Sequence, residues 1–300
     1  MSLLVTGSIA IDTVETPFGK REQLIGGSAI YFSYAASFFT PVRLVGVVGE
    51  DCPSALLKVF EGREVDASGL EVRPGSKTFR WHGSYVKSMN DAVTVAVDLN
   101  VLAERTAPIP PAFKDSKYVF LANTHPRLQQ QTLAALAHPR LAVADTMNFW
   151  IESEHAELLN LLKQIDGLVL NDGEARLLTQ KQNLISAARE VLKLGPKFVV
   201  IKKGEHGCLM VTGQEVFVLP AFPAEQVIDP TGAGDSFAGG MMGYLATQGT
   251  LSSSSLKRAL AFGTVVASFT IADFSLDGLK TATRQAIDQR WHEFKQSMSF

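Results

Sequence analysis

The sequence predicts an α/β fold built on a doubly wound, mostly parallel sheet. Short apolar runs bounded by turn or polar residues alternate with amphipathic stretches of helical period, and this alternation is typical of βαβ units. The predicted buried strands are residues 3–9, 42–48, 118–122, 141–144, 167–170 and 198–201. The predicted helices between them are residues 28–39, 126–137, 151–163 and 184–194. Two short strands after Gly207, followed by helices at 232–246, 256–272 and 280–295, make the C-terminal third mostly helical.

One segment, residues 78–102, departs from this pattern. Its second half alternates valine or leucine with less apolar residues from position 93 to position 101, which predicts a strand with one exposed face. Another apolar run at 80–86 and a turn at 89–91 precede it. We therefore expect an antiparallel flap that projects from the main sheet, joined by residues 12–23, and placed to cover a substrate.

Size and composition fit a unit that acts on small molecules. The chain has 300 residues, of which 46% are hydrophobic and 19% charged, close to the globular average. A net charge of -2 gives no basic surface for nucleic acid or for an anionic membrane. The apolar stretch at 261–272 is too short to span a bilayer, and residues 1–5 have the pattern of a first strand, not of a signal peptide. Cys52 and Cys208 lack metal-ligand spacing, which favours a reducing, cytoplasmic setting.

The most informative motif is DPTGAGDSFAGG at residues 229–240. Gly232 and Gly234 stand where a loop is predicted to become a helix, so backbone N–H groups can approach an anion and the helix dipole adds partial positive charge. Asp235 falls in the first helical turn, where a carboxylate is favoured and can reach whatever those N–H groups hold. The pattern indicates a phosphate site, although Gly-Ala-Gly-Asp alone also fits an ordinary helix cap.

In full, this motif closely resembles the signature of the ribokinase-like, PfkB carbohydrate kinase family. Further matches occur in family order, namely GSIAID at 7–12, GGSA at 26–29, NDGE at 171–174 and VIKKGEHG at 200–207. The resemblance spans residues 7–240. It implies a three-layer αβα core with a small β-sheet lid from about 12–23 and 78–102, all within a single domain of residues 1–300.

The resemblance also implies an activity. An ATP-dependent phosphotransferase would move the γ-phosphoryl group to a hydroxyl of a sugar or sugar-like small molecule, with Asp235 accepting the hydroxyl proton. The N–H groups of Gly232, Ala233 and Gly234 would hold the charge that develops on the transferred group. Two alternatives stay open: a nucleoside kinase of the same fold, and a sugar-sensing protein without catalysis. A P-loop and a dinucleotide-binding fingerprint are both absent from the sequence.

Asn171 and Glu174 are the expected magnesium residues, which would act through the water shell of Mg²⁺. Their spacing also describes an ordinary capping box. Asp145 and Asn123 end predicted strands on the side where open α/β sheets bind ligands, and each fits a helix cap equally well. The family further leads us to expect a monovalent cation such as K⁺ and a homodimer formed through the lid.

Substrate contacts are expected from Asp12, Gly26, Gly27 and Tyr31. The Asp12 carboxylate can accept hydrogen bonds from two adjacent hydroxyl groups, although aspartate also suits a turn. Tyr31 stands where many relatives carry an asparagine, so the pocket gains apolar area and loses hydrogen-bonding capacity. We therefore expect a polyol or sugar with an apolar or planar substituent, unless Tyr31 turns into the core.

Nucleotide contacts are expected from Lys202, Gly204, Gly207 and Thr231. The first three belong to the turn at 200–207, and Thr231 precedes the two glycines of the phosphate motif. For Lys202 a solvated strand end is the alternative. The apolar helix at 261–274 is the only candidate for the adenine pocket, and no single residue of it stands out.

Overall fold

The computed structural model describes residues 2–299. Its strands are β1 (Leu3–Thr6), β2 (Ala10–Thr16), β3 (Gly19–Gly26), β4 (Val42–Gly49), β5 (Val65–Arg73), β6 (Phe79–Ser84), β7 (Val93–Asp98), β8 (Tyr118–Leu121), β9 (Leu141–Asp145), β10 (Gly167–Asn171), β11 (Phe198–Lys202), β12 (Cys208–Thr212) and β13 (Val216–Leu219). Its α-helices are α1 (Ser28–Ala36), α2 (Ser54–Leu57), α3 (Pro126–Ala134), α4 (Asn148–Ser153), α5 (His155–Leu162), α6 (Asp172–Thr179), α7 (Leu184–Lys193), α8 (Ala233–Thr247), α9 (Ser253–Thr270), α10 (Asp277–Thr281) and α11 (Arg284–Ser297).

The central sheet has the strand order β13-β12-β11-β10-β9-β8-β1-β4-β5. Neighbouring strands from β11 to β5 run parallel, and β12 and β13 pair antiparallel at one edge. All six predicted strands lie in this sheet, so the predicted α/β fold is confirmed. The sequence did not reveal β5 at the other edge, because its residues are partly exposed and form no continuous apolar run.

Helices cover both faces of the central sheet. In β1, Leu3 and Val5 belong to the core that includes α1, α8 and α9, whereas Leu4 between them belongs to the core that includes α5, α6 and α7. Successive side chains of a strand point to opposite faces. One strand therefore supplies two buried cores, and the fold is a three-layer αβα sandwich, as the family resemblance implied.

The strand order reverses at β1. The chain runs from β1 outward to β4 and β5, and returns through β6 and β7 to β8 on the other side of β1. In open α/β sheets, ligands bind in the crevice outside the carboxyl ends of the strands at such a reversal. The crevice above β1 and β8 is therefore the expected substrate position.

A second, small sheet has the order β3-β2-β6-β7, and its strands come from the two segments that the sequence indicated. Strands β2 and β6 pair in parallel, so the antiparallel prediction holds only for the β2–β3 and β6–β7 pairs. Val14, Tyr85 and Phe274 form a small buried cluster that attaches this sheet to the main body.

The edge strand β7 differs from its prediction. All six of its residues are exposed, so the expectation of one buried face was wrong. Val93, Val95 and Val97 are 52%, 55% and 49% exposed. Valine favours strands wherever they lie, and the alternation could not tell whether another element of the chain would pack on them.

Two predicted helices also differ in extent. The helix predicted at 151–163 is divided at Glu154 into α4 and α5. The helix predicted at 280–295 begins later, because the Thr283 side chain accepts a hydrogen bond from the Ala286 N–H and caps α11. Between residues 2 and 299, no helix has the length and apolar character needed to cross a membrane.

Candidate active site

The carboxyl ends of the parallel strands carry the polar residues of the candidate site. Asp145 ends β9, Asn171 ends β10 and Lys202 ends β11, and the strand register places Asn171 beside Lys202. A Cβ atom built on Gly234, in the first turn of α8, would lie 2.7 Å from Lys202 Nζ. The start of α8 therefore meets the strand ends at the site.

The glycine-rich motif forms a turn that exposes backbone donors. Gly232, the N-cap of α8, has a φ of 73°, a left-handed conformation that favours glycine. The Ala233 N–H donates to the Pro230 carbonyl at 3.1 Å, whereas the N–H groups of Gly234 and Asp235 find no acceptor within residues 2–299. Unpaired N–H groups at a helix start can bind an anion, so the structure leaves two backbone donors free at the position predicted for the phosphate nest.

Asp235 lies half-buried in the first turn of α8. Burial raises the pKa of its carboxyl to about 6, and the nearby Lys202 ammonium opposes that rise. A base works best when its pKa lies near the operating pH and it remains largely ionised. The electrostatics of Asp235 therefore suit the role that the sequence predicted for it.

Asn171 and Glu174 do form a capping box. Glu174 Oε2 accepts from the Asn171 N–H at 2.6 Å, and Asn171 Oδ1 accepts from the Glu174 N–H at 2.7 Å. Burial raises the pKa of Glu174 to about 6, against the pull of the Lys202 ammonium. The Asn171–Glu174 spacing therefore does form a capping box. The Glu174 carboxylate also lies near the Lys202 ammonium at the end of β10.

Asp145 is a stronger site residue than its sequence suggested. Its side chain is 4% exposed, and Oδ1 has no hydrogen-bond partner within residues 2–299. Burial and the neighbouring Asp235 raise its pKa well above the usual range. The residue that caps α4 is Met147, so the capping alternative for Asp145 was wrong. An orphaned buried carboxylate beside Lys202 and Glu174 is a candidate ligand for a cation.

On the substrate side, Asp12 is a buried residue of β2, not a turn residue, so that alternative was wrong. Its Oδ1 has no partner in the described part of the chain, and the nearby Gly27 backbone N–H favours the charged form of the carboxyl, which lowers its pKa. A Cβ atom on Gly26 would lie 1.8 Å from Asp12 Oδ2, so a side chain there would displace the Asp12 carboxyl. Burial, with Asp229 and Asp235 nearby, raises the pKa of Asp12 to about 8.

Tyr31 takes the core-facing alternative. Its side chain is 2% exposed, and a Cβ atom on Gly232 would lie 2.3 Å from its ring. The Tyr31 hydroxyl lies beside Ser275. The ring therefore packs against the turn of the phosphate nest at Gly232. The substrate selectivity that the sequence led us to expect from Tyr31 must then come from other residues.

On the nucleotide side, Gly204 begins a short 3-10 turn after β11 and Gly207 follows it, and Thr231 is buried. The tip of the small sheet contacts this turn. Asn90 Nδ2 donates to Glu205 Oε1 at 2.9 Å, and the Glu205 N–H donates to Asn90 Oδ1 at 3.2 Å. The small sheet thus reaches from the substrate side, near Asp12, to the predicted nucleotide side.

Beside Asn123 lies a groove of about 390 Å³ that the sequence analysis missed. It is lined mainly by residues that follow β7, β8 and β9, among them Leu99, Leu102, His125, Phe149 and Trp150. Trp150 Nε1 donates to Asn123 Oδ1 at 3.0 Å, and Ser28 Oγ donates to the Asn123 carbonyl at 3.5 Å. The available signal was the cluster of aromatic residues just after two predicted strand ends.

Comparisons with known proteins agree with this geometry. The cytidine kinase of Thermococcus kodakarensis is 32% identical over 253 residues, which make up 81% of this chain and 88% of that protein. The Burkholderia thailandensis nucleoside kinase, solved in complex with inosine, aligns with a TM-score of 0.77 at 22% identity over 97% of this chain and 98% of that chain. The aminoimidazole riboside kinase of Salmonella enterica, solved with aminoimidazole riboside and an ATP analog, aligns with a TM-score of 0.76 at 16% identity, covering 97% of this chain and 100% of that chain.

A sequence profile described as pfkB family carbohydrate kinase matches residues 4–281, nearly the whole chain. The chain therefore belongs to the pfkB carbohydrate kinase family and is an ATP-dependent phosphotransferase that acts on a hydroxyl of a sugar or sugar-like small molecule.

Proposed function

We propose that this kinase acts on a ribonucleoside and phosphorylates the primary hydroxyl of its ribose. The observation that carries the proposal is the aromatic groove beside Asn123, since its volume of about 390 Å³ suits a small ligand. Phe149 is 48% exposed there, and an exposed aromatic ring is a platform on which a nucleobase stacks. The cytidine kinase relative, 32% identical, supports the same substrate class.

The contacts around Asn123 join this groove to the sugar position. Trp150, in the groove, donates to the Asn123 side chain, and Ser28, next to Gly27, donates to the Asn123 carbonyl. Asp12 lies against Gly26 on the other side of this link. A nucleoside would therefore place its base in the groove and the two vicinal ribose hydroxyls on Asp12, with the primary hydroxyl directed toward Asp235.

The residues of the phosphate side fit ATP and Mg²⁺. The N–H groups of Gly234 and Asp235 would hold the transferred phosphoryl group, and Lys202 would neutralise phosphate charge beside them. Glu174 and the unpartnered Asp145 carboxylate would act on magnesium, which lowers the electrostatic cost of bringing phosphate oxygens together. No group of three or more His, Cys, Asp or Glu in residues 2–299 could hold a metal alone, so phosphate and water would complete the coordination.

A coupled assay of ADP release tests the proposal over nucleosides, ribose, fructose, phosphosugars and inositols, with Asp235→Asn as the inactive control. We expect cytidine or another nucleoside to be the best substrate. The variant Phe149→Ala should weaken nucleoside turnover and leave turnover of any free sugar nearly unchanged, because only the nucleoside uses the groove. A free sugar as the best substrate, or no ADP release with any compound, would overturn the proposal.

We also propose a homodimer, a requirement for K⁺ and a cytoplasmic location. The exposed valines of β7 form an apolar edge that supports a homodimer through the small sheet. If so, Val95→Lys should lower the molar mass measured in solution to that of one chain. A dependence on K⁺ would appear as a rate difference between potassium and sodium buffers. Cys52 and Cys208 are free thiols, which supports a cytoplasmic location.

A further inference from the structure

The groove beside Asn123 has a polar rim in addition to its aromatic floor. The charged or titratable residues that line the groove are Glu104, His125, Arg127 and Glu154. A nucleobase exposes hydrogen-bonding groups only along its edge, so the residue that distinguishes one base from another must come from such a rim.

Two of these side chains are already committed to other partners. Glu104 accepts from Arg73 at 2.6 Å with one oxygen and from Ser76 at 2.8 Å with the other. Arg127 donates to Glu157 at 2.9 Å, and Glu157 does not line the groove. Neither side chain can turn to a base without breaking an ion pair.

His125 and Glu154 form the remaining pair. His125 Nδ1 accepts from the Arg127 N–H at 3.1 Å, so the imidazole proton lies on Nε2. That nitrogen faces Glu154 Oε1 at 3.4 Å. The contact places the Glu154 carboxylate at the rim beside the imidazole, and neither of its oxygens accepts a hydrogen bond from residues 2–299. Both oxygens can only accept hydrogen bonds.

We propose that Glu154 is the specificity residue of this site and accepts a hydrogen bond from the exocyclic amino group of a nucleobase, as cytosine would offer. Cytosine carries an N4 amino donor at the position where uracil carries the O4 acceptor. A carboxylate attracts the first and repels the second. His125 orients Glu154, and Phe149 supports the base. This inference rests on the proposed nucleoside kinase function and names its substrate class: a nucleoside whose base carries an exocyclic amino group.

A purely structural role is the alternative for this pair. His125 is the N-cap of α3, and Glu154 stands at the junction of α4 and α5. If stability were their only function, removing the Glu154 charge would lower the melting temperature and affect all nucleosides equally. Base recognition instead changes the ratio between substrates that differ only in the base.

The test measures kcat/KM for cytidine and for uridine in the wild type, Glu154→Gln and Glu154→Ala. We expect the wild type to prefer cytidine and both variants to reduce the cytidine-to-uridine ratio by at least about tenfold. Uridine should gain in Glu154→Gln, since the amide N–H can donate to O4. Glu190→Gln is the matched control, because Glu190 pairs with Lys193 on α7 and does not line the groove, and its ratio should stay at the wild-type value.

An unchanged ratio in both Glu154 variants, with nucleosides still phosphorylated, would overturn the inference and leave the proposed function standing. A loss of melting temperature with equal losses for cytidine and uridine would also overturn it, in favour of the structural role. A wild-type enzyme that phosphorylates no nucleoside would overturn both the inference and the proposed function.

Discussion

Replacing Gly232 with alanine should disable the phosphate nest while the rest of the protein stays folded. The residue has a φ of 73°, and a left-handed conformation costs a residue with a Cβ about 1–2 kcal/mol. The new Cβ would also lie 2.3 Å from the buried Tyr31 ring, and overpacking of this kind costs about 1–3 kcal/mol. The free energy of unfolding should therefore fall by about 2–5 kcal/mol.

The effect on catalysis follows from the same strain. Relief of the contact with Tyr31 must move the turn that aims the Gly234 and Asp235 N–H groups. The loss of one aligned donor to a developing charge lowers kcat by about 10²–10³. Urea unfolding would measure the stability change, and the coupled assay at saturating ATP and substrate would measure kcat.

Two further variants make the test specific. In Gly213→Ala the added Cβ would meet no atom within 4 Å, so stability and kcat should stay near wild type. Combining Gly232→Ala with Tyr31→Leu removes the ring but keeps the backbone strain, so part of the lost stability should return. A Gly232→Ala enzyme with wild-type stability and more than about a third of wild-type kcat would refute the reasoning.

Three other predictions follow from the charges of the site. Asp235→Asn should lower kcat by about 10²–10⁴ without unfolding the protein. In the wild type, kcat should fall as the pH drops through about 6, because burial raises the pKa of Asp235 to about 6. A wild-type kcat that does not change with pH in this range would exclude Asp235 as the base. Glu174→Gln should raise the magnesium concentration needed for half-maximal rate while its amide oxygen keeps the cap to Asn171, and superimposable magnesium titrations would leave capping as its only role. Burial raises the pKa of Asp12 to about 8, and two hydroxyl donors favour its charged form, so substrate binding near pH 7 should release a proton; a calorimetric heat that is independent of buffer would contradict this.

The sequence predicted the strands and turns that are determined by a short stretch of neighbouring residues. Strands buried on both faces form apolar runs that can be read directly, and β1 is an example. The glycine-rich motif at 229–240 was found because the left-handed turn and the helix start need particular residues at fixed positions. The order of the βα units then implied where the strand ends would meet.

The sequence could not give the features that depend on packing between distant segments. Tyr31 was expected to shape the substrate pocket, but its ring lies under Gly232, about 200 positions later in the chain. The groove beside Asn123 combines residues that follow β7, β8 and β9. The exposure of β7 also depends on packing between distant segments, since a single sequence does not show whether another element covers a strand.

The ratio of kcat/KM for cytidine to that for free ribose is the most direct test of the account. Both compounds offer a primary hydroxyl and vicinal hydroxyls to Asp235 and Asp12, and they differ in the base that would occupy the groove. Base stacking on an aromatic ring contributes about 1–3 kcal/mol, so we expect cytidine to exceed ribose by about 5- to 150-fold. A ratio of one or less would contradict the account.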